Sequence, residues 1–566
     1  MVCMTHDLVI RDGTLVDGAG LPPYRADVAI DAGRITKVGT VRETARKDID
    51  AEGHVVTPGF IDGHTHMDAQ LFWDPLGSPS CWHGVTTVVM GNCGFTLAPA
   101  RADARQLVVR NLERAEDIDA GALAAGIDWE WETFAQYLDA VDRRPKGINY
   151  AAQIGHSALR TYVMGEAAFD REASDDELAL MERELRDAIQ AGAIGFTTSR
   201  IDQHETSDDR PVASRLASWD EVCRLVGVLG DLGTGIFEIA PEFNAAMDPS
   251  ERAVINDAMR DLAVESRVPI TFGAGSGRRL EEMLRLVDTT AAAGGRMFGQ
   301  THSRGISVVL SFLSRMPFDR LPVWSDVRAL PPQEQLAALR DESLRQKLVD
   351  VATHGDYGRA IGAEAPRPDY TRMRVYDRPV PPNPTVADTA AERGVDPVEL
   401  ILDLAIDSDL SQLFIQPITP MDDAGLLAAM RHPRTVMTFS DAGAHVSQIS
   451  DVSIQTHLLA YWVRQREEFT LEEAVRMITL VPATAWGLAD RGLVREGFVA
   501  DLNVFDPDRV GPELPTVQHD LPAGARRLVQ KATGFRATVV AGEVVLEDGE
   551  HTGARPGRLL RGASAA

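Results

Sequence analysis

Between residues 58 and 489 apolar, β-rich segments alternate with stretches of helical periodicity, and few architectures accept that pattern. The apolar segments lie near 59–65, 85–91, 148–155, 193–199, 235–240, 268–273, 297–302 and 435–440. Strands without a polar face, separated by helices, pair in parallel under helices that cover the sheet. Eight such units close into a (β/α)8 TIM-type barrel, so the expected class is α/β. A ninth segment, LFIQP at 413–417, is either an added strand or displaces one of the eight. The stretch DDELALMERELRDAIQAG, apolar at three- and four-residue spacing and followed by Gly192, fits the outer helical ring.

The two ends have a different texture. Residues 7–57 alternate polar and apolar, with Asp12-Gly13 and Ala32-Gly33 expected at strand reversals. The same pattern returns after residue 490 in GFVADLNVFD and RATVVAGEVVLEDGEHTG, where Asp548-Gly549 marks another turn. A small β-sandwich domain built from both termini (1–57 plus 490–556) is therefore expected beside a barrel domain (58–489). From about 305 to 395 the alternation lapses into a Pro- and Arg-rich insertion ending DRPVPPNPT, a length and texture that suit a lid or substrate loop.

Composition narrows the partners. The 566 residues carry a formal net charge of −27 spread along the chain, a solvated acidic surface that argues against nucleic acid and anionic membrane. Four cysteines are too few for a disulfide framework, and MVCMTHDLVI lacks the pattern of a signal peptide, so the cytoplasm is the expected compartment. No apolar run approaches the roughly 20 residues that span a bilayer. A small-molecule substrate is expected, and a homo-oligomer is left open.

Three motifs carry chemistry. In TPGFIDGHTHMD, His64 and His66 end an apolar strand two residues apart, so both imidazoles point to the same side. Neutral imidazoles at this spacing can hold one divalent ion, although paired histidines can also be merely hydrogen-bonded. GVTTVVMGNCG places Cys93 at the end of the next strand, where a thiolate ligand competes with the ordinary role of a buried cysteine in packing. VMTFSDAGAH ends the last strand in Asp441, a carboxylate among the expected ligands or a helix N-cap.

Together with QIGHSALR, AGAIGFTTS and the terminal GFVADLNVFD and VAGEVV, these motifs make nearly the whole chain resemble the N-acyl-D-amino-acid deacylase (D-aminoacylase) family of the amidohydrolase superfamily. The resemblance implies a (β/α)8 barrel with a small β domain from both termini. It also implies zinc, or another divalent metal, at the barrel mouth on His64, His66 and Cys93, with Asp441 as acid and base. The chain departs from the family at two strand ends. Where the family has metal-binding histidines, GIFEIAPEF and VPITFGAGSG place Ala240 and Ala274. Glu238, two residues before Ala240, and His302 in GQTHSRG are the substitute ligands the sequence offers. A bridging lysine is excluded because strand four ends FTTSR and the nearest lysine, Lys146, precedes strand three. His156, Arg200 and Arg304 follow catalytic-face strands and are candidate substrate contacts.

The expected activity is metal-dependent hydrolysis of an amide, with about one metal per chain and N-acyl (D-)amino acids as the implied substrates. Cyclic amides or other C–N bonds are the alternative substrates. A catalytically impaired binding or scaffold barrel is the alternative from another class, permitted by the two alanines.

Overall fold

The computed structural model describes residues 5–242, 247–275, 277, 279–361, 364–419, 422–448 and 451–562. Every apolar segment of the alternation forms a strand: Phe60–Asp62 with His64–Thr65, Val85–Met90, Asn149–Ala152 with Ile154–Gly155, Gly195–Ser199, Ile236–Ala240, Ile270–Gly273, Met297–Thr301, and Thr435–Met437 with Phe439–Ala442. Each pairs in parallel with the next, and Phe439–Ala442 pairs back onto His64–Thr65, so the run returns to its first strand. Burial explains the composition. Val85–Met90 is buried at all six positions, as expected where side chains meet a core on one face and helices on the other.

The helices carry the signals that start and stop them. In Asp175–Ala191, Ser174 and Glu177 form a capping box and three acidic residues occupy the first turn. Gly192 ends it at φ 114, and Leu178, Met181, Leu185, Ala188 and Ile189 form the buried stripe.

The two termini meet in one nine-stranded sheet, joined where Val55–Pro58 pairs antiparallel with Leu502–Phe505. Ala32-Gly33 and Asp548-Gly549 turn hairpins there, as expected. Asp12-Gly13 does not reverse the chain: Thr5–Leu15 is one strand, and the pair forms a bulge with Asp12 at φ 57. The bend lets Thr5–Arg11 pair with Thr44–Asp50 while Thr14–Leu15 pairs with Val55–Val56.

The stretch expected to be an irregular loop is largely folded. It contains the helices Trp324–Arg328, Pro332–Leu339, Glu342–His354 and Val386–Arg393. Its core, around Trp324, Phe318 and Leu339, extends to Phe414. The ninth candidate is an added strand: Phe414–Pro417 lies outside the parallel run and pairs antiparallel with Ser307–Leu310. Among the described residues no helix is long and apolar enough to cross a membrane.

Candidate metal centre

The HTH segment ends the first parallel strand and is clamped by the SDAGAH loop that ends the last. The His66 N–H donates to the Ala442 carbonyl at 2.7 Å. Gly443, at φ +94, packs so closely that an added Cβ would lie 2.6 Å from the His66 carbonyl. The NCG turn is tied in by Asn92, whose amide donates to the Thr65 and Val89 carbonyls and accepts from Gln153. Cys93, Asp441 and His445 all adopt the left-handed region, at φ 54, 59 and 48. Such backbone strain costs about 1–3 kcal/mol per residue and concentrates where side chains must be aimed at a site.

These segments bring together four residues expected from sequence. The His64 Nε2 lies 3.5 Å from Cys93 Sγ and 3.5 Å from Asp441 Oδ1, and His66 Nε2 lies 3.1 Å from Asp441 Oδ1. Glu238 also turns inward, its Oε2 accepting the Cys93 N–H at 2.8 Å. His302 is buried against the Phe439 ring, with neither ring nitrogen hydrogen-bonded. All except His66 line one cavity of about 790 Å³, which Ala240 also borders. Ala274 is buried outside its lining. There the Phe439 ring packs on His64 at 3.9 Å and stands where a Cβ on neighbouring Gly273 would fall, 2.9 Å away.

Two residues not singled out from the sequence complete the cluster. Glu116 Oε2 lies 3.6 Å from His66 Nε2 and 3.6 Å from His445 Nε2, which is itself 3.6 Å from Asp441 Oδ2. The His445 N–H donates to the Glu116 carbonyl at 2.6 Å. His445 was legible, since it closes SDAGAH four residues after Asp441. Glu116, in a loop after the helix Arg105–Glu113, has no local motif.

The three residues read as substrate contacts lie elsewhere, each engaged by an acidic partner. The His156 ring bonds Thr198 and Glu221 at 2.9 Å each, and Glu221 also pairs with Arg160. Arg200 pairs with Glu242 at 2.5 Å, and the buried Arg304 with Asp451 at 2.8 Å. None of the three lines the cavity, whose cationic residues are Arg252 and Arg279 besides its histidines.

The electrostatics divide the two motif histidines. Burial pulls His64 down to about 3 despite the nearby Asp441 charge, so it is a neutral imidazole. Its Nδ1 bonds Gln300 Oε1 at 2.8 Å, which leaves Nε2 as the lone-pair nitrogen. Burial would lower His66 too, but the charges of Glu116 and Asp441 raise it to about 9. For Asp441, burial works upward, yet contact with His66 and the surrounding imidazoles hold the carboxyl well below its usual range. Burial lifts Glu238 to about 8 and drives the Cys93 thiol well above the ordinary range.

Two donor groups could hold a cation, His64–His66–Cys93 and His66–Glu116–Asp441, with the ligand atoms of each within 4.8 Å of one another. The residues fit such an ion: His66 is buried with no hydrogen bond at either ring nitrogen, which is what a missing ligand leaves behind.

A parallel α/β ring with histidines, a carboxylate and a thiol at the strand ends defines a metal-hydrolase architecture. The amidohydrolase family model matches residues 47–546, and the chain belongs to that family. It is 30% identical to an uncharacterised protein of Mycobacterium tuberculosis over 97% of this chain and 93% of that one. It is 28% identical to the N-acyl-D-aspartate deacylase of Alcaligenes xylosoxydans xylosoxydans, over 98% of this chain and 95% of that enzyme. A solved D-aminoacylase with a binuclear metal centre superposes with a TM-score of 0.65 at 25% identity, covering 98% of this chain and 100% of that one.

Proposed function

We propose that the chain is a metal-dependent deacylase that hydrolyses the amide bond of N-acyl-D-amino acids. The observation that carries this reading is the convergence of His64, His66, Cys93 and Asp441 on one cluster at the cavity. The reading takes the architecture to be a (β/α)8 TIM-type barrel over 58–489, with a small β-sandwich domain from 1–57 plus 490–556. Kinship with deacylases and the run of parallel pairings support it.

About one divalent ion, zinc by analogy, is held at this cluster, its donors drawn from the motif residues and those packed beside them. Such an ion supplies a water acidified toward neutrality and polarises the scissile carbonyl. Asp441 accepts the proton of the attacking water and returns it to the departing amine. Arg252 and Arg279 line the same cavity, and a substrate carboxylate bound there would share Arg252 with Glu282, which pairs with it at 3.2 Å. The alternatives read from sequence, cyclic amides above all, test the substrate class. Zinc-loaded chain should release the carboxylic acid and free amino acid from N-acyl-D-amino acids faster than from their L enantiomers. Hydrolysis confined to cyclic amides, or none by chain that holds zinc, would overturn the proposal.

A further inference from the structure

The loop after Gly195–Ser199 brings to the cavity a donor that the deacylase reading does not use. We infer that the His204 Nε2–H donates to the oxygen of the scissile carbonyl and holds the negative charge that gathers there as water adds, with Ser199 as the positioning residue that fixes the proton on Nε2. This inference rests on the deacylase reading and goes beyond it by naming a side chain for the charged oxygen.

The loop holds the ring in place. The Ile201 carbonyl accepts the His204 N–H at 3.2 Å, and the His204 carbonyl accepts the Val212 N–H at 3.3 Å and Arg215 Nη1 at 3.1 Å. The imidazole rests on the ring of Phe95, two residues after Cys93, with centroids 5.2 Å apart. His204 lines the same cavity as Glu116, Asp441 and His445, and among the described residues it belongs to neither group of donors that could hold the cation.

One hydrogen decides which nitrogen faces the substrate. Ser199 is fully buried, and its Oγ lies 2.7 Å from His204 Nδ1. Among the described residues that hydroxyl has no other acceptor, so its hydrogen goes to Nδ1; a proton on Nδ1 would leave the buried hydroxyl hydrogen unpaired. Nδ1 is therefore the lone-pair nitrogen, and the ring proton sits on Nε2, which has no partner among the described residues. Burial first, and then the charges of His445 and His66, pull the ring down to about 3, so the imidazole is neutral near pH 7.

A neutral, fixed N–H suits a carbonyl whose charge develops during the reaction. As the water oxygen bonds to the carbonyl carbon and gives one proton to Asp441, the π pair of the C=O bond moves onto the carbonyl oxygen. On collapse that pair re-forms the double bond, the C–N pair leaves with the nitrogen, and the nitrogen takes the proton from Asp441. The hydrogen bond from Nε2 strengthens while the oxygen is charged and needs no reorganisation at that moment. The substrate carboxylate is charged throughout and is better matched to the guanidinium groups of Arg252 and Arg279.

The test compares the zinc-loaded, full-length chain with His204→Phe, which keeps an aromatic ring against Phe95 and has no N–H. On an N-acyl-D-amino acid, kcat should fall by about 10²–10³-fold with KM within a few-fold, the usual cost of one lost oxyanion donor. A phosphonate with tetrahedral phosphorus in place of the scissile carbonyl should lose affinity by a similar factor, while the free D-amino acid binds as before and zinc content is unchanged. His204→Gln, whose amide can carry an N–H near the place of Nε2, should recover part of the loss, and Ser199→Ala should lower kcat by a smaller factor at unchanged KM. Unmoved kcat and phosphonate affinity in His204→Phe would overturn the assignment. So would a raised KM at unchanged kcat, which marks a contact made equally in the ground state, or zinc lost from the variant. Should His204→Phe fail to fold by circular dichroism, His204→Leu, which also lacks a donor, carries the same expectations. The two readings fail separately. Deacylation indifferent to residue 204 overturns the role of His204 alone, whereas phosphonate affinity that depends on His204 in a chain without deacylation overturns the substrate reading alone. A zinc-loaded chain that neither deacylates nor binds the phosphonate overturns both.

Discussion

Replacing Glu238 with glutamine should make the metal-free protein more stable above neutral pH and leave it nearly unchanged in mild acid. Glu238 is fully buried, its Oε2 accepts the Cys93 N–H, and its Oε1 has no partner. Burial dominates its environment and lifts the carboxyl from 4.5 to about 8, with the Cys93 N–H and His66 pulling down and Asp441 and Glu116 pushing up. The sign follows from proton counting. Between these two values the folded chain retains a proton that the unfolded chain has released, so raising the pH favours unfolding. At about 1.4 kcal/mol per pH unit, the loss across the window is on the order of 5 kcal/mol. Glutamine keeps an oxygen for the Cys93 N–H and has no charge to bury, so the variant lacks this loss. His66 also makes stability fall with pH, because its value is raised from 6.5 to about 9, but that contribution is common to both proteins and leaves the difference largely intact. Urea unfolding of chelator-treated protein at about pH 5 and pH 8.5 measures the effect. Equal pH dependence in the two proteins would refute the argument that burial governs this carboxyl.

Other consequences follow from the same geometry. Asp441→Asn should lower turnover by about 10²-fold or more while the fold stays intact, the usual cost of losing a positioned acid and base; near-normal turnover on an established substrate would remove Asp441 from that role. Because His66 holds its proton to about pH 9, zinc uptake at neutral pH should displace it. Apparent affinity should then rise ~10-fold per pH unit and ~100-fold between pH 7 and 9, and calorimetry in buffers of different ionisation enthalpy should show the proton released. Trp324, buried against Phe318 with its N–H on the Leu348 carbonyl, anchors the separate core of the inserted segment. Trp324→Ala should cost about 3–5 kcal/mol within that unit, seen as early proteolytic cleavage between 307 and 417, while zinc binding persists. Loss of zinc together with that core would show the two to be one cooperative unit.

Much of this protein is written locally. Strand positions are legible because a strand buried on both faces must be apolar throughout, as Val85–Met90 is. The helix Asp175–Ala191 is legible because its cap, first-turn acids and terminal glycine are adjacent in the chain. His64, His66, Cys93 and Asp441 could be nominated because each ends a strand in a short motif. The folded state of the insertion was hidden by its prolines, one of which begins a helix, at Pro332, a placement that costs no hydrogen bond. The partners of His156, Arg200 and Arg304 were equally hidden: Glu221, Glu242 and Asp451 lie 65, 42 and 147 residues away. Tertiary structure alone decided the outer half of the candidate metal centre. Glu116 reaches His66 and His445 only because two loops, 329 residues apart from Glu116 to His445, are tied by one backbone hydrogen bond. A sequence records which donors a chain owns, but a metal site is defined by donors a few ångströms apart, and that spacing is set by how the strands close and which loops their ends bring together.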